Sequence, residues 1–281
     1  MAILVCGASS QIGHFLLPRL VASGEAVLAL SRRPRAARAG VTWLRGALPD
    51  AMPALPPLSA IISFGPLQAL ADWLARTSVV DAPRVIATSS MSAQSKRDSI
   101  VPAERTLAQQ LRAGEAALAS ACAASDCAWT VLRPTLVYGA GLDKSLTPIA
   151  RRAGRTHLFP LPAGRGLRQP IHADDLAQAV LAAMDCPASA GRVLAIGGGE
   201  RLPAAAMFER VRNCLPAATV PLPVPAWLLR CACVVPRLRG PLSRLDEDLI
   251  ADNAEVERLL GIHPRAFAPD AAMFGVHPGA G

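Results

Sequence analysis

The feature that most constrains the fold lies within the first two dozen residues. Ala2 to Cys6 is a short apolar run, and Gly7-Ala8-Ser9-Ser10-Gln11-Ile12-Gly13 follows it directly. Five apolar residues bounded by glycine read as a buried parallel strand. Gln11 to Ala22 then carries Ile12, Phe15, Leu16 and Leu20 near helical spacing and stops before Gly24. Gly7 permits a tight turn, Gly13 lets the helix approach the strand, and the helix N-terminus turns its N–H groups toward a pyrophosphate. Ser9 and Ser10 add hydroxyl donors. A plain strand–helix turn uses the same glycines for packing alone, so position carries the argument: the turn follows a first strand and opens an amphipathic helix.

The rest of the first half repeats this alternation. Strands are expected at Ala26 to Leu30, Val41 to Leu44, Ser59 to Phe64, Arg84 to Ser89 and Ala128 to Leu132. Helices are expected at Leu67 to Thr77 and Pro102 to Ala124. Such a pattern predicts an α/β fold, a doubly wound parallel sheet (Rossmann fold), with ligands bound in the loops after the strands. The second half is richer in proline. Short strands are expected near His157 to Phe159, Gln169 to His172 and Arg192 to Ile196, with helices at Ala173 to Met184, Ala204 to Cys214, Ala226 to Val235 and Asn253 to Leu260. The chain thus reads as one unit over 1–281, with 1–140 mainly a dinucleotide-binding core. Residues 141–281 read as mainly a smaller C-terminal substrate lobe that returns to the core sheet.

Composition closes off other classes. Hydrophobic residues are 52% and charged ones 18% of 281 residues, which excludes general disorder. The net charge of +8 would suit nucleic acid, but the arginines are spread along the chain and aromatics are too few for a stacking platform. Anionic small ligands, or an arginine-rich solvated surface, account for them equally well. The seven cysteines form no C-x-x-C pair and sit mostly in apolar runs, which suits a reducing compartment and predicts no metal site. No signal-peptide pattern appears, and no apolar run reaches about 18 residues. The expectation is a cytoplasmic protein with a small-molecule substrate, no nucleic-acid or membrane partner, and a monomeric or homodimeric state.

The residue after the second strand selects the dinucleotide. A ribose 2′-hydroxyl is usually held by an acidic residue there. This chain has Ser31-Arg32-Arg33 and no carboxylate. A hydroxyl and two guanidiniums suit a 2′-phosphate, so NADP(H) is favoured over NAD(H).

Four motifs occur in order: the Gly7 to Gly13 loop, Arg84-Val-Ile-Ala-Thr-Ser-Ser90, Leu132-Arg-Pro-Thr-Leu-Val-Tyr-Gly139, and Gln169-Pro-Ile-His-Ala-Asp-Asp-Leu-Ala177. Leu260-Gly-Ile-His-Pro-Arg265 closes the series. Together they resemble the extended short-chain dehydrogenase/reductases of the NAD-dependent epimerase/dehydratase family, which act largely on nucleotide sugars. The resemblance implies that Gly7, Ser9, Ser10, Gln11, Ile12 and Gly13 wrap the pyrophosphate and that Phe64 and Gly65 flank the adenosine side. It also implies that Ser89 and Ser90 lie near the nicotinamide, with Pro134 and Thr135 against its ribose or carboxamide. Arg168, Gln169 and His172 would face a phosphorylated or nucleotide-linked substrate.

The departures bear on chemistry. The middle glycine of the loop is Ser10. The family's Tyr-x-x-x-Lys pair is absent: Tyr138 is the only tyrosine, and position 142 is leucine. If Glu115 matches the glutamate that follows the pair, Leu107 and Leu111 stand in its place. A phenol with a lowered pKa is therefore missing as general acid/base. The remaining candidates are Ser90, which would polarise a substrate oxygen, and Lys96, one of two lysines in an arginine-rich chain. A solvated lysine on a polar loop is the plain alternative for Lys96. Two functions stay open: an atypical epimerase, dehydratase or reductase, and a non-catalytic NAD(P)H-binding sensor or assembly protein.

Overall fold

The computed structural model describes residues 1–77, 81–224 and 247–276. Its centre is a seven-stranded sheet. In chain order the strands are β1 (Ala2–Cys6), β2 (Ala26–Ser31), β3 (Val41–Arg45), β4 (Leu58–Ser63), β5 (Arg84–Thr88), β6 (Trp129–Pro134) and, much later, β11 (Arg192–Ile196). The spatial order is β3-β2-β1-β4-β5-β6-β11, and every pairing is parallel. The order reverses direction between β1 and β4, the place where open sheets of this kind bind ligands. The expected return of the second half to the core sheet is β11 docking on β6.

Strand residues alternate between two cores, because successive side chains point to opposite faces. Ile3, Val5, Val27, Ala29, Ile62, Ile86 and Leu132 pack on one face with α1 (Gln11–Ala22), α6 (Ala173–Met184) and the C-terminal helix Ala254–Leu260. Leu4, Cys6, Ile61, Val85, Ala87 and Val131 pack on the other with α2 (Leu67–Leu74) and α4 (Pro102–Ala124). A third cluster forms the smaller lobe. Tyr138, Leu146, Ala150, Phe159, Met207, Phe208, Phe267 and Phe274 gather there between α5 (Leu146–Thr156) and α7 (Ala204–Asn213).

Several boundaries differ from expectation for local reasons. Gln169 to His172 is not one strand: β9 (Leu167–Arg168) and β10 (Ile171–His172) flank Pro170, which cannot donate to a ladder. His157 caps α5 in a left-handed conformation, so β8 is Leu158–Pro162. Helix α5 itself was not foreseen. Its start is fixed by Asp143, whose carboxylate accepts from the Ser145, Leu146 and Thr147 N–H groups. The short strands β7 (Val137–Tyr138), β12 (Leu202–Pro203) and β13 (Val220–Val224) and a single turn, α3 (Ser92–Ser95), were also not expected. The expected helix Ala226 to Val235 lies outside the described residues.

Candidate dinucleotide site

The loop after β1 has the geometry that close backbone approach demands. Gly7 has φ +76°, and a Cβ there would lie 3.1 Å from the Phe64 Cβ. A Cβ on Gly13 would lie 2.1 Å from the Ala8 carbonyl oxygen. Ser10 is the N-cap of α1, and its hydroxyl accepts from the Gly13 N–H at 3.2 Å. Serine at the middle-glycine position thus becomes a cap, a role serine performs well. The cap leaves the other first-turn N–H groups, those of Gln11 and Ile12, without an intrahelical acceptor. Ser9 is exposed beside them. The Ile12 side chain goes into the core and contributes only backbone to this rim. Gln11 turns away as well: its Nε2 donates to the Val137 carbonyl at 2.9 Å, tying the loop to β7. Its Oε1 is buried and makes no hydrogen bond among the described residues.

Phe64 follows β4 and donates its N–H to the Cys6 carbonyl, so the ends of β1 and β4 are joined under the loop. Gly65 is half-buried next to it. Across β4, Ser89 and Ser90 follow β5. The Ser89 N–H donates to the Leu132 carbonyl, while its Oγ is buried and makes no hydrogen bond among the described residues. Ser90 Oγ accepts from the Ser92 N–H at 3.1 Å. Pro134 and Thr135 end β6 and are buried; the Thr135 N–H donates to the Ile196 carbonyl and its hydroxyl to the Gln169 carbonyl. A glycine-lined loop, an open helix N-terminus and an orphaned buried hydroxyl along one sheet edge fit a dinucleotide.

At the end of β2, Ser31 is buried. Its Oγ donates to the Arg33 carbonyl and accepts from Arg35 Nε at 3.3 Å. Arg32 and Arg33 are exposed. Arg35, not foreseen, therefore joins this cluster. The sequence signal for it is the run of arginines between Arg32 and Arg38.

The residues expected on the substrate side also have partners inside the protein. His172 caps α6: Nδ1 accepts from the Asp174 N–H at 3.1 Å, and the ring packs on Phe15 and Tyr138. Burial, together with the nearby Arg265 charge, depresses its pKa, with Asp175, Asp174 and Asp270 opposing. Gln169 spends both ends of its amide inside the protein, Nε2 on the Gly198 carbonyl and Oε1 on the Ala251 N–H. Arg168 is buried and donates to the carbonyls of Leu167 and Glu247. A motif that enters a helix uses its polar residues to hold that entry. Lys96 is likewise no solvated loop residue: it is 6% exposed, with Nζ 3.7 Å from Glu104 Oε1.

Residues 64–197 match the model of the NAD dependent epimerase/dehydratase family. Over that stretch the chain is similar to that family. Because the match begins at Phe64, the glycine loop lies before it and stands on its own geometry. A UDP-glucose 4-epimerase of Vibrio cholerae is 27% identical over 140 residues, 48% of this chain and 41% of that protein. The chain therefore aligns with less than half the length of this curated relative. Among solved structures, a UDP-galactose 4-epimerase has a TM-score of 0.74 at 16% identity, covering 98% of this chain and 97% of its own. MoeE5 in complex with UDP-glucose and NAD has a TM-score of 0.72 at 20% identity, covering 97% of each. UDP-glucuronic acid 4-epimerase from Bacillus cereus, bound to UDP-glucuronic acid and NAD, has a TM-score of 0.72 at 14% identity, covering 98% of this chain and 96% of its own. These likenesses establish the fold.

Within this fold, α4 bears on the chemistry. Leu107, Leu111 and Glu115 are spaced four apart and so share one helix face. Leu107 is 38% exposed, and Glu115 is buried in a bidentate pair with Arg133 of β6. The one phenol, Tyr138, is fully buried between His172 and Phe267, and burial pushes its pKa up to about 12. Among the described residues, no group of three or more His, Cys, Asp or Glu is arranged to hold a metal, and no helix is long and apolar enough to cross a membrane.

Proposed function

We propose that the chain binds a nicotinamide dinucleotide along the C-terminal edge of the sheet and acts on a nucleotide-linked or otherwise anionic polar substrate. The observation that carries this is one juxtaposition: the Gly7 to Gly13 loop after β1 and Ser89–Ser90 after β5, separated only by β4. In this reading the backbone of Gly7, Ser9, Gln11 and Ile12 cradles the pyrophosphate, with Ser10 and Gly13 shaping the turn. Phe64 and Gly65 bound the adenosine side, and Ser89, Ser90, Pro134 and Thr135 line the nicotinamide side. Ser31, Arg32, Arg33 and Arg35 favour a 2′-phosphate, hence NADP(H) over NAD(H). The relatives that bind UDP-sugars with NAD support the substrate class.

When bound, a nicotinamide supplies or accepts a hydride. Ser90 has the geometry to polarise the reacting oxygen: its Oγ accepts from the Ser92 N–H, which leaves its own proton to donate. No phenol stands near it to move a proton, since Tyr138 lies in the other lobe's core. That observation favours a second reading, a dinucleotide-binding sensor or assembly protein without turnover.

A panel of UDP-sugars and small carbonyl compounds, offered with NADPH or NADP, separates the two. Turnover lost in Ser90→Ala supports the enzyme. Saturable dinucleotide binding with no turnover across the panel supports the sensor.

A further inference from the structure

The buried pair Lys96–Glu104 has no part in the chemistry above, yet it is costly to keep, since both charges are taken out of water. Glu104 is 3% exposed and lies in the first turn of α4, where a carboxylate is favoured. Its two oxygens are held separately. Ser99 Oγ donates to Oε2 at 2.7 Å, and Lys96 Nζ lies 3.7 Å from Oε1. Ser99 is fixed in turn: its Oγ accepts from the Val101 N–H, and its carbonyl accepts from Arg105 Nη1 at 2.7 Å.

Lys96 is also the C-cap of the α3 turn, and a continuous hydrogen-bonded run leads from it back to Ser90. The Lys96 N–H donates to the Ser92 carbonyl, the Ser95 and Gln94 N–H groups to Met91, and the Ala93 N–H to Ser90. The Ser92 N–H closes on Ser90 Oγ itself. At its near end the run is tied to β6 by the Met91 N–H on the Pro134 carbonyl. At its far end the charged pair ties it to α4.

We infer that Lys96 is a positioning residue: paired with Glu104 it clamps the α3 turn between β5 and α4 and so sets the Ser90 hydroxyl at the sheet edge. This rests on the reading of that edge as the dinucleotide site. An ammonium suits the role because it is a compact point charge, whereas a guanidinium needs room for a planar fork.

The test uses Lys96→Met, the isosteric Glu104→Gln and the double variant, each with and without Ser90→Ala. The readouts are amide hydrogen exchange over 90–99 and NADPH affinity by fluorescence titration. Each single variant should speed exchange at 92–96 by about ten-fold or more, because the turn opens locally. Each should weaken NADPH binding by about five-fold, and the double variant should lose less than the two singles combined. In the Ser90→Ala background, Lys96→Met should cause no further loss of affinity, an outcome that a merely structural role would not produce. Unchanged exchange at 92–96, or a loss additive with Ser90→Ala, overturns the inference. Should wild type bind neither dinucleotide, the proposed function fails while the exchange measurement still decides the clamp. Should Lys96→Met not fold, Glu104→Gln carries the same test.

Discussion

A Cβ placed on Gly13 would sit 2.1 Å from the carbonyl oxygen of Ala8, inside any allowed contact. The first turn of α1 is therefore pressed against the β1 loop at a distance only glycine allows, and the same approach brings the helix N-terminus to the sheet edge. Gly13→Ala should force the two apart. We expect a stability loss of about 1–3 kcal/mol from overpacking and loss of dinucleotide binding. Thermal unfolding and fluorescence titration of the variant check both.

The Glu115–Arg133 pair fastens α4 to β6. Glu115 is nearly fully buried, and Arg133 donates to both its oxygens. The hydrogen bonds that Arg133 donates to Glu115 raise the guanidinium pKa further, so Arg133 stays charged. Glu115→Gln strands that charge and should cost about 3 kcal/mol, read as a lowered midpoint in urea unfolding. Replacing both partners with apolar residues should cost less than the single change.

Protonating His172 should weaken the fold. Its Nδ1 accepts the Asp174 N–H, which an imidazolium cannot do, and its pKa is depressed chiefly by burial below the ordinary 6.5. The unfolded chain therefore binds the proton first, and stability present above about pH 6.5 is lost as pH falls toward the folded-state pKa. A second loss follows at more acid pH. Burial pushes the Asp174 carboxyl up, but hydrogen bonds from Arg19 and Arg265 outweigh it and hold it below 3.8. Unfolding midpoints of wild type and His172→Asn between pH 7 and 5 check the first window. Asparagine still caps, so the variant should show a flatter profile there.

Tyr138→Phe should leave any turnover unchanged. A phenol held near pKa 12 inside the lobe core does not exchange protons with a substrate at neutral pH. A large drop in kcat with the fold intact would place Tyr138 in the chemistry.

Much of this was legible in sequence. The glycine spacing and the alternation of apolar runs with amphipathic helices specified the parallel sheet, because backbone geometry leaves few other solutions. The absence of Tyr-x-x-x-Lys followed from one tyrosine. What escaped was long-range. Nothing local in Gln169, His172 or Arg168 says that their partners include Ala251, Asp174 and Glu247. Lys96 and Glu104 are eight residues apart across a loop and a helix start, and only the folded turn brings their charges together. Helix α5 was hidden because its cap, Asp143, acts through a turn rather than beside the apolar run.

The arginines at the end of β2 should act on one cofactor only. Arg32→Ala, Arg33→Ala and Arg35→Ala should each weaken NADPH binding by about ten-fold, the value of one charge-assisted hydrogen bond, and leave NADH affinity nearly unchanged. Equal losses for both would assign these arginines to general electrostatics.

The most direct test of the central claim is calorimetric titration of wild type and Gly13→Ala with NADPH and NADH. The account predicts one saturable site per chain in wild type, tighter for NADPH, and no binding in the variant. Absence of binding in wild type, or equal binding in the variant, would contradict it.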